Sequence, residues 1–280
     1  MPHLRSLALR TGSADRNVRF PFSVPSIRSL SEITLDAPVT FFVGENGSGK
    51  STLLEALALA ARLPTAGSAE VGDDATLAPQ RALASALKLV WNRRTTRGFF
   101  LRAEDFFGFT KRVAVLRSEM QARIAELEEE YRDRPAYSKG LAQGPMRNSI
   151  ADLERRYGVD LDANSHGQSF LKLFQSRFVP GGLFLLDEPE APLSPQSQLA
   201  LIAMLSDMLA DDAQFVIATH SPILLAFPGA RILSFDDGTV RAVPYEALEH
   251  VTLTRAFLNA PENFLRRLGG ANGEPVDGSR

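Results

Sequence analysis

The chain has 280 residues, 44% hydrophobic and 23% charged, a balance that excludes a fibre and a wholly disordered chain. Lys plus Arg number 31 and Asp plus Glu 33, so the net charge of −2 gives no global basic field of the kind that marks a nucleic-acid binder. Cysteine is absent, which excludes a disulfide scaffold, a thiolate zinc site and a cysteine nucleophile, and four histidines are too few for a His-rich metal cage.

At ~150 residues per domain, the length corresponds to about two domains or one large one, enough to bury a core without staples. The longest apolar stretches are 53–61, broken by Glu55, and 199–210, broken by Ser206 and Asp207. Neither reaches the ~18 uncharged residues of a spanning helix. Residues 1–10 lack an apolar run followed by a small-residue cleavage site, so a cytoplasmic location is expected.

Leu4, Leu7 and Leu9, then Val18, Phe20 and Phe22, predict two short edge strands around a polar turn. Residues 39–43 are a continuous apolar strand, followed by a glycine-rich loop at 44–49 and an apolar helix at 51–62. A small-residue loop covers 64–79. A helix is expected from Arg81 to about Asn92, and a strand from Phe99 to Ala103. Val113, Leu116, Met120, Ile124, Leu127 and Tyr131 repeat at helical spacing within a charged run, giving an amphipathic helix. A loop is expected at 135–145 and a second polar helix at 149–157.

The pattern then turns α/β. Residues 183–186 form a buried strand ending in Asp187-Glu188, 198–209 a helix, and 215–218 a buried strand ending in Thr219-His220. Residues 232–235 and 239–243 suggest a hairpin around Asp236-Asp237-Gly238. There is no internal repeat. The reading is an α/β core formed by 1–79 and 166–268, split by a helical insertion at 80–165, with a flexible tail at 269–280.

The segment Gly44-Glu45-Asn46-Gly47-Ser48-Gly49-Lys50-Ser51 fits G-x-x-x-x-G-K-[ST], with a strand before it and a helix after it. Glycines let the backbone N–H groups converge on an anion, and the helix adds its positive end. Lys50 can reach β- and γ-phosphates, and the Ser51 hydroxyl can ligate Mg²⁺. Downstream, a buried strand places Asp187 and Glu188 at its carboxyl end, beside such a loop in a parallel sheet. Asp187 would hold Mg²⁺, and Glu188 would orient or deprotonate the attacking water. A neutral His220 could meet a γ-phosphate oxygen or that water; the alternative is a strand-end histidine in a turn before Pro222.

Together these residues resemble the ATP-binding-cassette class of P-loop ATPases, over most of the chain. Residues 44–52 resemble Walker A, and 183–188 resemble Walker B with its adjacent catalytic Glu. Ser165-His166-Gly167-Gln168 resembles the Ser-Gly-Gly-Gln core of the signature motif, and His220, 32 residues after Glu188, resembles the switch histidine. The phrases Gly98-Phe99-Phe100-Leu101-Arg102-Ala103-Glu104 and Ala218-Thr219-His220-Ser221-Pro222 are similar to stand-alone ATPases of this class, kin to SMC-type and repair ATPases.

The resemblance implies an α/β fold, a P-loop NTPase core of the ABC-ATPase type with antiparallel edge strands and a helical insertion. It implies ATP and Mg²⁺ as cofactors, with Glu188, His220 and Lys50 in hydrolysis. ATP contacts would come from Gly44, Glu45, Asn46, Gly47, Ser48, Gly49, Lys50, Ser51 and Thr52. A second subunit would add Ser165, Gly167 and Gln168, so that two copies pair head to tail around ATP. Metal contacts would come from Ser51, Asp187 and Glu104, the last standing where the class has its lid glutamine.

Departures are His166 in place of the commonest glycine, Glu104 at the lid, and Glu190-Ala191-Pro192-Leu193-Ser194 in place of the usual Ser-Ala-Leu-Asp turn. Phe20 and Phe22 are candidates for an adenine platform, with core or edge packing as the alternative. The charged helix around 112–134 is either a solvated face or a partner-docking surface. Arg93, Arg94 and Arg97 are either a solvated loop or a phosphate contact. The expected output is DNA or RNA maintenance or defence, with a nucleic-acid or protein partner. The rival readings are a nucleotide-binding subunit docking on a membrane permease, and a nucleotide sensor that barely hydrolyses ATP.

Overall fold

The computed structural model describes residues 1–10, 19–65, 78–157 and 166–269. The first half runs β1 (Leu4–Leu9), α1 (Pro25–Arg28), β2 (Ile33–Thr34), β3 (Val39–Val43), α2 (Lys50–Ala61), α3 (Ala78–Ala86), β4 (Leu87–Trp91), β5 (Gly98–Arg102), α4 (Ala103–Glu130) and α5 (Ala136–Tyr157). The second half runs α6 (His166–Arg177), β6 (Leu183–Asp187), α7 (Pro195–Ala210), β7 (Gln214–Ala218), α8 (Pro222–Leu225), β8 (Arg231–Ser234), β9 (Arg241–Ala242), α9 (Glu249–Asn259) and α10 (Pro261–Gly269). The fold is α/β, as the sequence implies. Among the described residues no helix is long and apolar enough to cross a membrane.

Apolar runs without polar alternation make strands covered on both faces. Every residue of β3, β6 and β7 is buried. These strands lie inside a six-stranded sheet of order β5-β6-β7-β3-β8-β9, parallel except for the β8–β9 pair. Side-chain alternation divides them between two cores. Val39, Phe41 and Val43 face one side with Phe184, Leu186, Phe215 and Ile217. Phe42 faces the other with Leu183, Leu185, Val216 and the apolar face of α2.

On the first face α6 is bound by aromatic rings. Phe178 lies 4.8 Å from Phe184 and 5.5 Å from Phe215, and Phe170 and Phe174 meet edge to face at 4.7 Å. On the second face a small antiparallel sheet of order β2-β1-β4 covers α2 and α3. Gln214, fully buried at the start of β7, ties that sheet to the main one. Its Oε1 accepts the N–H of Leu4 at 2.8 Å, and its Nε2 donates to the carbonyl of Leu4 at 2.9 Å.

Several sequence expectations are corrected. Phe20 and Phe22 lie in turns that lead into α1 and not in an edge strand, because Pro25 opens that helix at its first position; Val18 lies outside the described residues. The helix expected from Arg81 to Asn92 stops at Ala86. Leu87-Lys88-Leu89 alternates apolar with charged, and the edge of β1 captures it as β4. The loop expected at 135–145 is helical. Pro145 sits inside α5, which is held along α4 by Gln143 donating to the Ile124 carbonyl, by Lys139–Glu128 at 3.0 Å and by Arg117–Glu154 at 2.7 Å. Tertiary packing outweighs the local proline penalty there.

The stretch 80–165 thus carries β4 and β5, which belong to the two sheets, and its helical projection is α4 with α5. Arg93 pairs with Asp212, and Arg97 donates to the Pro180 carbonyl at 3.2 Å, so two of the three clustered arginines brace the β5–β6 side. Residues 270–280, most of the expected tail, lie outside the described residues.

Replacing Gln214 with Leu keeps the volume but leaves the buried N–H and carbonyl of Leu4 unpaired. At about 1–3 kcal/mol for each of the two orphaned groups, denaturant unfolding should show a loss of roughly 2–6 kcal/mol. A loss below about 0.5 kcal/mol, within the range of ordinary surface substitutions, would show that this link between the sheets is dispensable.

Candidate functional site

The carboxyl end of β3 delivers the chain into Gly44–Gly49. Gly44 and Gly49 have φ of 141° and 102°, a region that side chains avoid. Space is short as well. A Cβ on Gly49 would lie 2.7 Å from Ser26 Oγ, and one on Gly44 3.0 Å from Asp236 Oδ1. The Ser26 hydroxyl donates to the Ser48 carbonyl, which holds the loop from below.

Lys50, the first residue of α2, is buried. Its Nζ donates to the carbonyls of Gly44 at 2.6 Å and Glu45 at 2.9 Å, so the ammonium lies folded over the loop. Burial pushes Lys50 below the ordinary lysine range, and the carboxylates of Glu188, Asp187, Asp236 and Glu190 oppose that shift. The next residue, Ser51, donates its hydroxyl to Asp187 Oδ1 at 3.0 Å. Thr52 follows in the first turn of α2.

Asp187 ends β6 and is 8% exposed. Burial pushes its carboxyl up to about 7, against the pull of the Ser51 hydroxyl; Glu55 and Glu188 push the same way as burial, and Arg102 opposes. Arg102 is the register partner of Asp187 on β5, and its guanidinium pairs with Glu55 of α2 at 2.8 Å. Glu188 is exposed at φ 50°, a left-handed conformation rare for glutamate, and its N–H donates to the Ala218 carbonyl at 2.9 Å. The strand end thus holds a non-glycine residue in a costly conformation with its carboxylate turned out.

His220 follows β7 and is half-buried, with its N–H donated to Glu190 Oε1 at 2.8 Å. Burial, and then the Lys50 charge, push its imidazole below the usual value. Burial pushes the Glu190 carboxyl up. A cavity of about 830 Å³ opens beside the loop, lined by residues 44–48 together with Pro25, His220, Asp236, Arg241 and His250. A second opening is lined by Glu45, Asn46, Glu188 and His220.

The structure therefore brings Gly44 to Ser51, Asp187, Glu188 and His220 to one edge of the sheet. Gly167 and Gln168 open α6 elsewhere: neither lines the cavity, and a Cβ on Gly167 would lie 3.2 Å from the Pro192 carbonyl. Ser165 lies outside the described residues, as do the side chains of His166 and Glu104. Glu104 stands second in α4, directly after the strand that pairs with Asp187. Phe22 is buried in the core under α2, Phe20 is half-exposed, and neither lines the cavity.

Three residues escape the sequence reading. Asp236, read as a hairpin turn, accepts the Glu45 N–H on Oδ1 at 2.9 Å and the Ser234 hydroxyl on Oδ2 at 2.9 Å, so it tethers the phosphate loop. Its only sequence signal is an acid just past a strand that proves to be the parallel neighbour of β3. Glu190 carries the backbone of His220, and His250 reaches the cavity from α9.

Two family models match parts of the chain. An AAA domain model matches residues 23–70, and an AAA domain model described under AbiEii toxin, type IV TA system, matches residues 169–226. These two segments carry the phosphate loop and the 187–220 stretch. No curated protein matches.

Solved structures that resemble the chain include the ATP-binding cassette MJ1267 of an ABC transporter in its ADP conformation (15% identity over 95% of this chain and 99% of that one, TM-score 0.45). Another is cbiO1 from Clostridium perfringens, part of the ABC transporter complex cbiONQ (14%, 93% and 97%, TM-score 0.45). A third is the Smc head domain from Pyrococcus furiosus, bound to the C-terminal domain of ScpA (12%, 94% and 100%, TM-score 0.42). Likeness at this level defines neither activity nor partner. The parallel sheet, the glycine loop and the two AAA matches fit a P-loop fold.

Burial pushes the Asp187 carboxyl up to about 7, well above the ordinary carboxylate range. Folding therefore favours its protonated form. That contribution is full below about pH 4 and is lost as pH rises through about 7. Asp187→Asn, which removes the buried charge, should raise the unfolding midpoint of metal-free protein at pH 8 by about 2–4 °C or more. The gain should shrink as pH falls below 7. A gain independent of pH would mean that Asp187 is not a strained buried carboxylate.

Proposed function

We propose that the chain binds ATP with Mg²⁺ and hydrolyses it, and that two copies close around the nucleotide. The carrying observation is that the glycine loop, Lys50, the Ser51–Asp187 pair, Glu188 and His220 meet at one sheet edge. The loop N–H groups and the start of α2 would face phosphate oxygens. Lys50 would exchange the carbonyls of Gly44 and Glu45 for the β- and γ-phosphates.

The residues present fit Mg²⁺. Asp187 and Ser51 are hard oxygen donors in contact, and the buried carboxylate lacks full compensation. Among the described residues there is no cage of three or more acidic or imidazole ligands. That suits an ion which takes one or two protein ligands and completes its shell with water and phosphate. Glu104, at the lid position, is the third proposed contact. When bound, the ion neutralises charge on the phosphates.

Glu188 carries an exposed carboxylate next to that pair. It would accept the proton of the attacking water or orient it. His220, held neutral by burial, would donate to the γ-phosphate or to the same water. Gly167 and Gln168 stand away from the cavity of their own chain, which supports the reading that Ser165, Gly167 and Gln168 serve the nucleotide of a second copy. The coupled output is DNA or RNA maintenance or defence, with nucleic acid or protein as the engaged partner.

Lys50→Ala should lose most ATP affinity or turnover. Glu188→Gln should bind ATP normally while hydrolysis falls by ~10²-fold or more. Unchanged turnover in a folded Lys50→Ala protein would sink the assignment; parental turnover in Glu188→Gln would move the water-activating role elsewhere. Light scattering of Glu188→Gln with ATP and Mg²⁺ should show dimers, which Ser165→Arg should abolish. Equal dimer fractions with and without that change would refute the shared site.

A further inference from the structure

We propose that His250 is a second imidazole of the nucleotide site, placed with His220 to receive the terminal phosphate of a bound nucleoside triphosphate. The inference rests on the nucleotide reading above and assigns a residue outside the motif-bearing segments.

Two distant parts of the chain bring the rings together. His220 follows β7, and His250 is the second residue of α9. Their centroids are 6.4 Å apart at an interplanar angle of 66°. The carriers are stapled to each other. Tyr245 Oη donates to the Pro222 carbonyl at 3.0 Å, and Leu248 and Val251, on either side of His250, are buried in the core beneath α7 and α8. The pair is thus set by packing on both sides and not by surface chance. Both rings line the cavity that also exposes residues 44–48 of the phosphate loop.

Among the described residues, Nε2 of His220 and Nε2 of His250 are both buried without a hydrogen-bond partner. A buried imidazole nitrogen without a partner is costly, and two beside one anion-binding loop call for a common partner. A phosphate oxygen is an acceptor only, so it meets the Nε2–H tautomer of each ring. Burial pushes both imidazoles below the usual value, which keeps them neutral donors near pH 7. They would then add hydrogen bonds without adding charge to a site where Lys50 already supplies it. Asp236, which tethers Glu45 and also influences both rings, ties their position to that of the loop.

The arrangement predicts selectivity for tri- over diphosphate. The probes are ADP and the β,γ-imido analogue of ATP, each with Mg²⁺, titrated calorimetrically into the parent, His250→Phe and His250→Gln. Phe keeps the ring volume and the packing but has no donor; Gln keeps a donor. His250→Phe should weaken the triphosphate analogue about tenfold while changing ADP less than twofold, and His250→Gln should recover part of the loss. Parental affinity of His250→Phe for the analogue would overturn the proposal. Equal losses for both nucleotides would also overturn it, because they mark His250 as packing support. If the parent bound neither nucleotide, the nucleotide reading itself would fall; a parent that binds both with His250→Phe unaltered would remove His250 alone.

Discussion

Parallel register is the constraint on which the site depends. Arg102, Asp187, Ala218, Phe42 and Leu233 form one row across five strands, each aligned with its neighbour. Every segment of the candidate site leaves the sheet within a few residues after that row: the α4 entry, Glu188, Thr219-His220, the glycine loop, and Ser234 to Asp236. A slip of two residues in β7 would keep its buried faces but move His220 by about 7 Å along the strand. The register is therefore what converts separate stretches of sequence into one place in space.

The row also explains the shape of the phosphate loop. β7 lies between β3 and β6, so the loop starts two strands away from Asp187, about 10 Å at ordinary strand spacing. Ser51 nevertheless touches Asp187 at 3.0 Å. The chain covers the gap by arching over the end of β7 and starting α2 on the far side. That path needs left-handed backbone at Gly44 and Gly49, and it needs the loop fastened at both ends. Asp236 fastens the beginning and Ser26 the base. One anchor comes from β8 beside β3, the other from α1, which Pro25 initiates.

What the sequence shows follows from which interactions are local. The strand 39–43, the loop at 44–51 and the acids at 187–188 are legible because continuous burial and backbone geometry demand those residue types in order. The departures at β4 and α5 come from partners remote in sequence. Leu87-Lys88-Leu89 fits a helix until β1 offers an unpaired edge, and Pro145 ends no helix because α4 holds the segment on both sides of it. The same holds in the site. Asp236, Glu190 and His250 act through backbone groups and rings lying 191, 30 and 30 residues away, so no local pattern announces them. Arg93 and Arg97 make the converse point: a basic cluster in sequence is consumed by Asp212 and a carbonyl once β4 and β5 are placed.

The electrostatics of the assembled site are unbalanced in a way that favours a ligand. Asp187, Glu188, Glu190 and Asp236 all act on one ammonium, Lys50, which burial weakens as a counter-charge. Burial raises Asp187 and Glu190 against the hydrogen bonds that each accepts, while Glu55 pairs with Arg102. Lys50 meanwhile rests on the Gly44 and Glu45 carbonyls of the loop itself. A dication at the Ser51–Asp187 pair would stabilise the ionised carboxylate, and a polyphosphate in the loop would draw Lys50 off the carbonyls and give the buried ring nitrogens an acceptor. Either alone leaves part of the charge uncompensated. On the reading proposed above, the two together would complement the site, so metal and triphosphate would bind as one unit.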